Sequence, residues 1–214
     1  MALETFEKLP AEKKALILST GIRAFSRTSY NDVSTDSITK ACRISKGLLF
    51  HYFGSKKDYY LYCLETALAR LTAQTEAATG ADFYEILFDA MNQKLALCMQ
   101  YPEETHLVNM ASLDASAEIA SEKADLLRKY ALRTQLESAN ILQAATESLP
   151  FKEGTNTPKT QEALHIYIRA LLNRYLLRYQ QAPDEFFENS RQIQQELKES
   201  LNLMLYGICK EEDV

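Results

Sequence analysis

Between Pro10 and Cys209, apolar residues recur at three- and four-residue spacing, the mark of helices that each bury one face. The pattern predicts a first helix over residues 11–27, with Leu18, Ile22 and Phe25 inward. A polar break over 26–31 follows, with Tyr30 and Val33 turned to the core. Ser34 or Thr35 is placed to cap a second helix whose inner positions are Ile38, Ala41 and Cys42. Ile44 plugs a three-residue turn over 43–45. A third short helix over 46–52 then brings Leu49, and Phe53 just beyond it, to complete a small three-helix core. Ser55 caps a fourth helix carrying Tyr60, Leu64, Leu68 and Leu71 toward Gly80.

Further helices are predicted over 81–101, 103–115, 118–148, 160–181 and 184–209, cut at Pro102, at the stretch 150–158 and at Pro183. The helix over 160–181 spreads Leu164, Tyr167, Ile168, Leu171, Leu172, Tyr175, Leu176 and Tyr179 over more than one face, so it must be covered twice. The last helix has a near-heptad seam of Phe186, Ile193, Leu197, Leu201, Met204 and Ile208. Two such helices from each of two chains would make a four-helix interface, and a core that simply continues within one chain would give the same pattern.

Composition narrows the class. Six glycines and five prolines in 214 residues, with Ala, Leu, Glu, Lys and Gln dominant, predict an all-α protein with room for a full core. No run of about 18 apolar residues occurs, and the first residues lack a secretory pattern, so no membrane partner and a cytoplasmic location are expected. Cys42, Cys63, Cys98 and Cys209 are scattered without a CxxC and read as small buried hydrophobes rather than zinc ligands or a redox pair. The net charge of −5 argues against nucleic acid until its distribution is read. Residues 1–58 hold ten Lys/Arg against six Asp/Glu, whereas the remainder holds fourteen against twenty-three. A basic head on an acidic body is expected where one end meets phosphates.

The turn over 43–45 is short enough to make its two flanking helices a helix-turn-helix, which offers its second helix to the DNA major groove. That helix is read as exposing Lys46, Gly47, Leu48, Phe50, His51 and Tyr52: a cation, a gap, a bare aliphatic and three rings. The mixture suits phosphates, close backbone approach and thymine methyls better than water. The plainer reading is a surface helical hairpin with no DNA partner.

Here the chain resembles the DNA-binding domain of TetR-family transcriptional regulators. The resemblance lies in Thr35, in the run Ser45-Lys46-Gly47-Leu48-Leu49-Phe50-His51-Tyr52-Phe53 and in Ser55-Lys56-Lys57, and it covers about the first 60 residues. It implies an N-terminal helix-turn-helix domain over 1–55 and a helical effector-binding and dimerisation domain over 56–214, pairing through helices 160–181 and 184–209. Carried onto these positions, it implies that Thr35 bonds a phosphate at a helix N-terminus and that Ser45 belongs to the DNA-binding set. Lys46 would reach a guanine edge or a phosphate, Gly47 would admit the DNA backbone, and Leu48 would touch thymine methyls or sugar. Phe50, His51, Tyr52 and Lys56 complete the DNA-facing set, with His51, Tyr52 and Lys56 on phosphates. Two positions depart from the family: Arg43 stands where Gly is usual, which implies either a left-handed turn that Arg tolerates poorly or an extra cation near DNA. Phe50 replaces a common Tyr and so has no hydroxyl to donate.

No HExxH, GxSxG, phosphate-cradling Gly loop or paired metal-ligand spacing is present, and His106 and His165 stand alone on predicted helices. Neither catalysis nor a cofactor is expected. The resemblance implies a ligand-responsive regulator, a repressor that binds a palindromic operator as a homodimer and is released by a small-molecule effector. A DNA-binding architectural dimer without an effector is the alternative. Candidate effector-lining residues are Tyr84, Phe88, Met91, Met110, Tyr130, Arg133, Asn140, Tyr167 and Arg174. Rings and methionines would favour a large apolar ligand, and an inward arginine an anion.

Overall fold

The computed structural model describes residues 2–73, 78–179 and 183–206. Its helices are α1 (Ala2–Glu7), α2 (Ala11–Phe25), α3 (Thr35–Cys42), α4 (Lys46–Phe53), α5 (Lys56–Leu71), α6 (Phe83–Gln100), α7 (Pro102–Leu113), α8 (Ala120–Glu147), α9 (Thr157–Tyr179), α10 (Pro183–Glu188) and α11 (Ser190–Leu205), with a 3-10 turn, Ala117–Ile119, before α8. The fold is all-α, as the periodicity predicts. None of the described helices is long and apolar enough to cross a membrane.

Contacts gather the described residues into two compact units, one of 2–73 with 100–133 and the other of 78–99 with 134–206. This partition differs from a cut at residue 55, and packing gives the reason. Helix α5 turns Tyr59, Tyr60, Cys63, Leu64, Ala67 and Leu68 into the core formed by α2, α3 and α4, so it belongs to the helices before it. Leu107 and Ala111 of α7 join the same core, as do Ile119 and Tyr130. Helix α2 crosses α5 so closely at Gly21 that an added Cβ would collide with the Tyr59 hydroxyl and the Cys63 sulfur. That hydroxyl instead donates to the Ile17 carbonyl at 2.6 Å. Cys42 and Cys63 are free and buried, and burial pushes both thiols up, as for small hydrophobes.

Helix α1 precedes the first helix that the apolar spacing predicts. Its Phe6 is 1% exposed and packs against Phe53 (ring centroids 4.7 Å apart), Tyr62 (5.5 Å) and Tyr52 (6.0 Å). Glu7 follows it, accepting from the Tyr62 hydroxyl at 2.6 Å and from Lys14 at 3.2 Å. These two bonds hold the Glu7 carboxyl below the usual range.

On the far side of this unit, α7 is tied down by its acidic first turn. Ser26 donates to Glu103 at 2.7 Å, with Arg23 and Arg27 within 3.6 Å of the same carboxylate. The buried Glu104 pairs with Arg70 of α5. At the other end of α7, the Tyr30 backbone N–H donates to Asp114 at 2.6 Å. Burial pushes the Asp114 carboxyl up, but hydrogen bonds from Ser116 and Tyr30 outweigh it and leave the group below its usual value.

The second unit has its own core of Phe83, Leu87, Leu142, Ala145, Leu164, Ile168, Leu171, Tyr175, Ile193, Leu197, Leu201 and Leu205. Two predicted helices, one in each unit, end differently. The fourth stops at Leu71, where the Thr72 backbone N–H and hydroxyl both bond the Leu68 carbonyl, rather than at Gly80. The last is broken at Asn189, whose side-chain amide and backbone N–H both donate to the Glu185 carbonyl, ending α10 before α11 begins. Gln181, Ile208 and Cys209 lie outside the described residues, as does the Leu176 side chain.

Part of the seam on α11 is covered within one chain. Ile193, Leu197 and Leu201 are buried in this chain's own core, because α9 already fills the space they face. The exposed large apolar groups of these helices are instead Ile166 (63% exposed) and Leu177 on α9, Leu203 (80%) on α11, and Tyr206 just after it.

Candidate nucleic-acid interface

Local hydrogen bonds build this site. Ser34, not Thr35, is the N-cap of α3, its hydroxyl accepting from the Ser37 backbone N–H. Ser45 caps α4 by accepting from the Leu48 N–H at 3.1 Å, and Ser55 caps α5 through the Asp58 N–H at 3.0 Å. Between α3 and α4 the chain reverses at Arg43, whose φ of 53° and ψ of 47° are left-handed. A non-glycine residue there is strained by roughly 1–2 kcal/mol. Arg43→Gly should therefore raise the denaturation free energy by roughly 0.5–1 kcal/mol after glycine's entropy cost. A lower denaturant midpoint would contradict that reading of the turn.

Helix α4 buries Leu49 and Phe53 and turns Lys46, Gly47 and His51 outward, with Leu48 and Phe50 half-buried. Tyr52 does not belong to the outward set. It is 5% exposed and lies beside Phe6 and Phe53, because α1 covers that side of the helix. Thr35 is also nearly covered, at 9%, while Ser34 and Asp36 flank it in the open. Gly47 is informative in the other direction. A Cβ at this position would meet nothing closer than the Ser45 hydroxyl at 4.0 Å, so the fold itself does not require glycine. Glycine inside a helix costs about 0.5–1 kcal/mol against alanine.

The cations differ in how they are held. Lys46 pairs with Asp36 at 3.0 Å on the surface, a contact between side chains ten residues apart that no spacing rule reveals. The Lys56 ammonium donates to the Asn31 carbonyl at 3.3 Å and lies 4.6 Å from the centre of the Tyr30 ring. Burial lowers its pKa, with Glu118 and Asp32 opposing the shift. Lys57 pairs with Glu122 at 2.7 Å, whereas Arg43 and His51 are exposed.

The nine effector-lining candidates are dispersed. Tyr84 and Phe88 stack at 5.7 Å and share an open cleft of about 630 Å³ with Asp82, Asp89, Asn92 and Lys198. The Tyr84 hydroxyl donates to Asn202 at 2.5 Å. Met91 is half-buried against the second core, and Tyr167 donates to the Ser200 carbonyl at 3.1 Å. Met110 lines a separate cleft of about 470 Å³ with Asn31 and Asp114. Tyr130 is packed in the first core, while Arg133, Asn140 and Arg174 are exposed.

Two capped short helices about a left-handed turn, with a cationic, glycine-bearing outer face, define a helix-turn-helix protein. Residues 17–62 match the family described as bacterial regulatory proteins, tetR family. Over 53 residues the chain is 42% identical to the HTH-type transcriptional regulator YuxN of Bacillus subtilis (strain 168), a match covering 25% of this chain and 18% of that one. Over 61 residues it is 36% identical to the transcriptional regulator AcuR of Cereibacter sphaeroides, covering 27% and 28% respectively. The chain thus matches less than a third of either relative's length. A TetR family transcriptional regulator from Chloroflexus aurantiacus J-10-FL is similar in fold over 97% of this chain and 98% of its own, with a TM-score of 0.59 at 20% identity. The family match thus lies on the helix-turn-helix segment, from within α2 to within α5.

Proposed function

We propose that this protein is a cytoplasmic, non-catalytic repressor that binds a palindromic operator as a homodimer and is released by a small-molecule effector. The observation that carries the reading is the outer face of α4, where Lys46, Gly47 and His51 are exposed, Leu48 is half-buried beside them and Gly47 opens onto free space. A backbone without a side chain lets a DNA strand approach, and the cations beside it suit phosphates and guanine edges. Of the DNA-facing set, Lys46, Gly47, Leu48 and His51 take the groove, and Ser45 fixes the first turn of α4. Phe50 lends apolar surface, Thr35 and Lys56 act from the margin, and Tyr52 backs the helix from inside.

Exposed Ile166, Leu177, Leu203 and Tyr206 support pairing of α9 and α11 with a second copy. Two α4 helices would then enter successive major grooves, ~34 Å apart. An effector acts by favouring a dimer with mis-spaced α4 helices, and about 1.4 kcal/mol of differential affinity is needed for each tenfold loss of DNA binding. The dispersal of the nine candidate lining residues keeps the effector-free architectural dimer as the second reading.

Selection of duplexes from a random-sequence pool tests the proposal. The purified protein should enrich a palindrome bound by two chains. Calorimetry on that complex against metabolite and drug libraries should find a compound that weakens it. A protein that enriches no sequence at low ionic strength is not an operator-binding repressor, and one that no compound releases fits the architectural reading.

A further inference from the structure

Asp36 is the one Asp or Glu among residues 35–53, the two helices and the turn between them. Asp36, in the first turn of α3, is exposed and chelates the Lys46 ammonium at the start of α4, at 3.0 and 3.3 Å to its two oxygens. We propose that Asp36 is a specificity-determining residue, which keeps Lys46 from serving as a general phosphate contact and leaves it free to read a base. The inference rests on the reading of α4 as a DNA-binding helix.

The argument is one of donors and charge. An ammonium has three N–H groups, and the carboxylate does not exhaust them. Lys46 can keep its bond to Asp36 and still donate to O6 or N7 of a guanine, which are neutral acceptors. A phosphate is different, because its oxygens carry charge. Moving the ammonium onto a phosphate abandons Asp36 beside that phosphate. Keeping the trio together places two anions on one cation. Either way, the gain that a free lysine would make on any DNA sequence is largely cancelled. The pair is exposed and individually weak, so it does not hold the fold together. Its effect is on the difference between right and wrong DNA, as expected of an element that penalises the competitor rather than rewarding the target.

The test compares the full chain with its Asp36→Asn, Lys46→Gln and doubly substituted forms. Each is titrated with the duplex that the unaltered protein selects and with an equally long duplex lacking that site. Asn keeps the size of Asp and removes the charge. Asp36→Asn should bind the duplex without the site roughly five- to tenfold more tightly near 0.1 M salt. Its slope of log affinity against log salt should steepen there by about 0.9, one further phosphate contact. Affinity for the selected duplex should stay within about twofold, so the specificity ratio falls. With Lys46 already replaced, Asp36→Asn should gain less than about twofold, because the two residues act as one unit.

An unchanged ratio overturns the proposal. So does an equal gain with and without Lys46, which marks a general charge effect. Loss on the selected duplex alone also overturns it, since Asp36 would then be contacting a base or orienting Lys46. If the unaltered protein binds neither duplex, the DNA-binding reading itself falls, an outcome distinct from the other three.

Discussion

Phe6→Ala should lower the unfolding free energy by about 3–5 kcal/mol, the usual cost of deleting a buried phenylalanine ring. Phe6 is 1% exposed, and its ring touches Tyr52, Phe53 and Tyr62, two of them on α4 and one on α5. Removing it leaves a space bounded by three rings that are themselves anchored. Phe53 packs on Tyr59 at 4.6 Å and on Tyr62 at 5.4 Å, so the gap cannot close cheaply. α1 is only six residues long and cannot persist without this packing. Its loss would uncover Tyr52 and the back of the reading helix. Denaturant unfolding followed by circular dichroism checks the number. Leu3→Ala on the exposed side of α1 should change stability by less than about 0.5 kcal/mol. A Phe6→Ala loss below about 1 kcal/mol would mean that α1 does not pack on α4 in solution.

Lys46→Ala should weaken binding to the selected duplex by about 1–3 kcal/mol and relax its base preference, if Lys46 reads a base edge. The exposed pair with Asp36 does not exhaust the three N–H groups of the ammonium, so Lys46 can donate to a base edge without leaving that pair. Lys56→Ala should behave differently, weakening all duplexes alike and flattening the salt dependence by about one contact. Because Lys56 also holds the Asn31 carbonyl and the Tyr30 ring, its melting temperature must be read alongside. Salt titrations of both variants on both duplexes decide the matter. If neither substitution changes binding, α4 is not the groove-reading helix.

The reading of Tyr52 shows where sequence reasoning reaches its limit. Within an eight-residue helix, 100° steps place positions 46, 47, 50 and 51 on one side, and Leu49 and Phe53 on the other. Tyr52 falls nearly opposite the middle of that outward set, so helix geometry favours a covered position, against the outward reading drawn from residue type. What covers it is Phe6, on a helix that the apolar spacing does not predict. The α11 seam has the same origin: regular apolar spacing says that a face is covered, but not by which chain. Asn189 and Thr72 end helices through side-chain bonds to backbone carbonyls, which compete only weakly in a pattern dominated by good helix formers.

What the residues determined alone is local. Ser55 caps α5 through a hydrogen bond within three residues of itself, the turn over 43–45 separates two short helices, and Ile38, Leu49 and Phe53 mark the buried side. Those interactions are short in sequence, so their geometry follows from spacing. Only the folded chain decided that Phe6 backs the reading helix, that Asp36 meets Lys46, and that α5 and α7 share the head's core. Each of these joins side chains that spacing does not relate, and long-range packing selects among faces that local chemistry leaves equivalent.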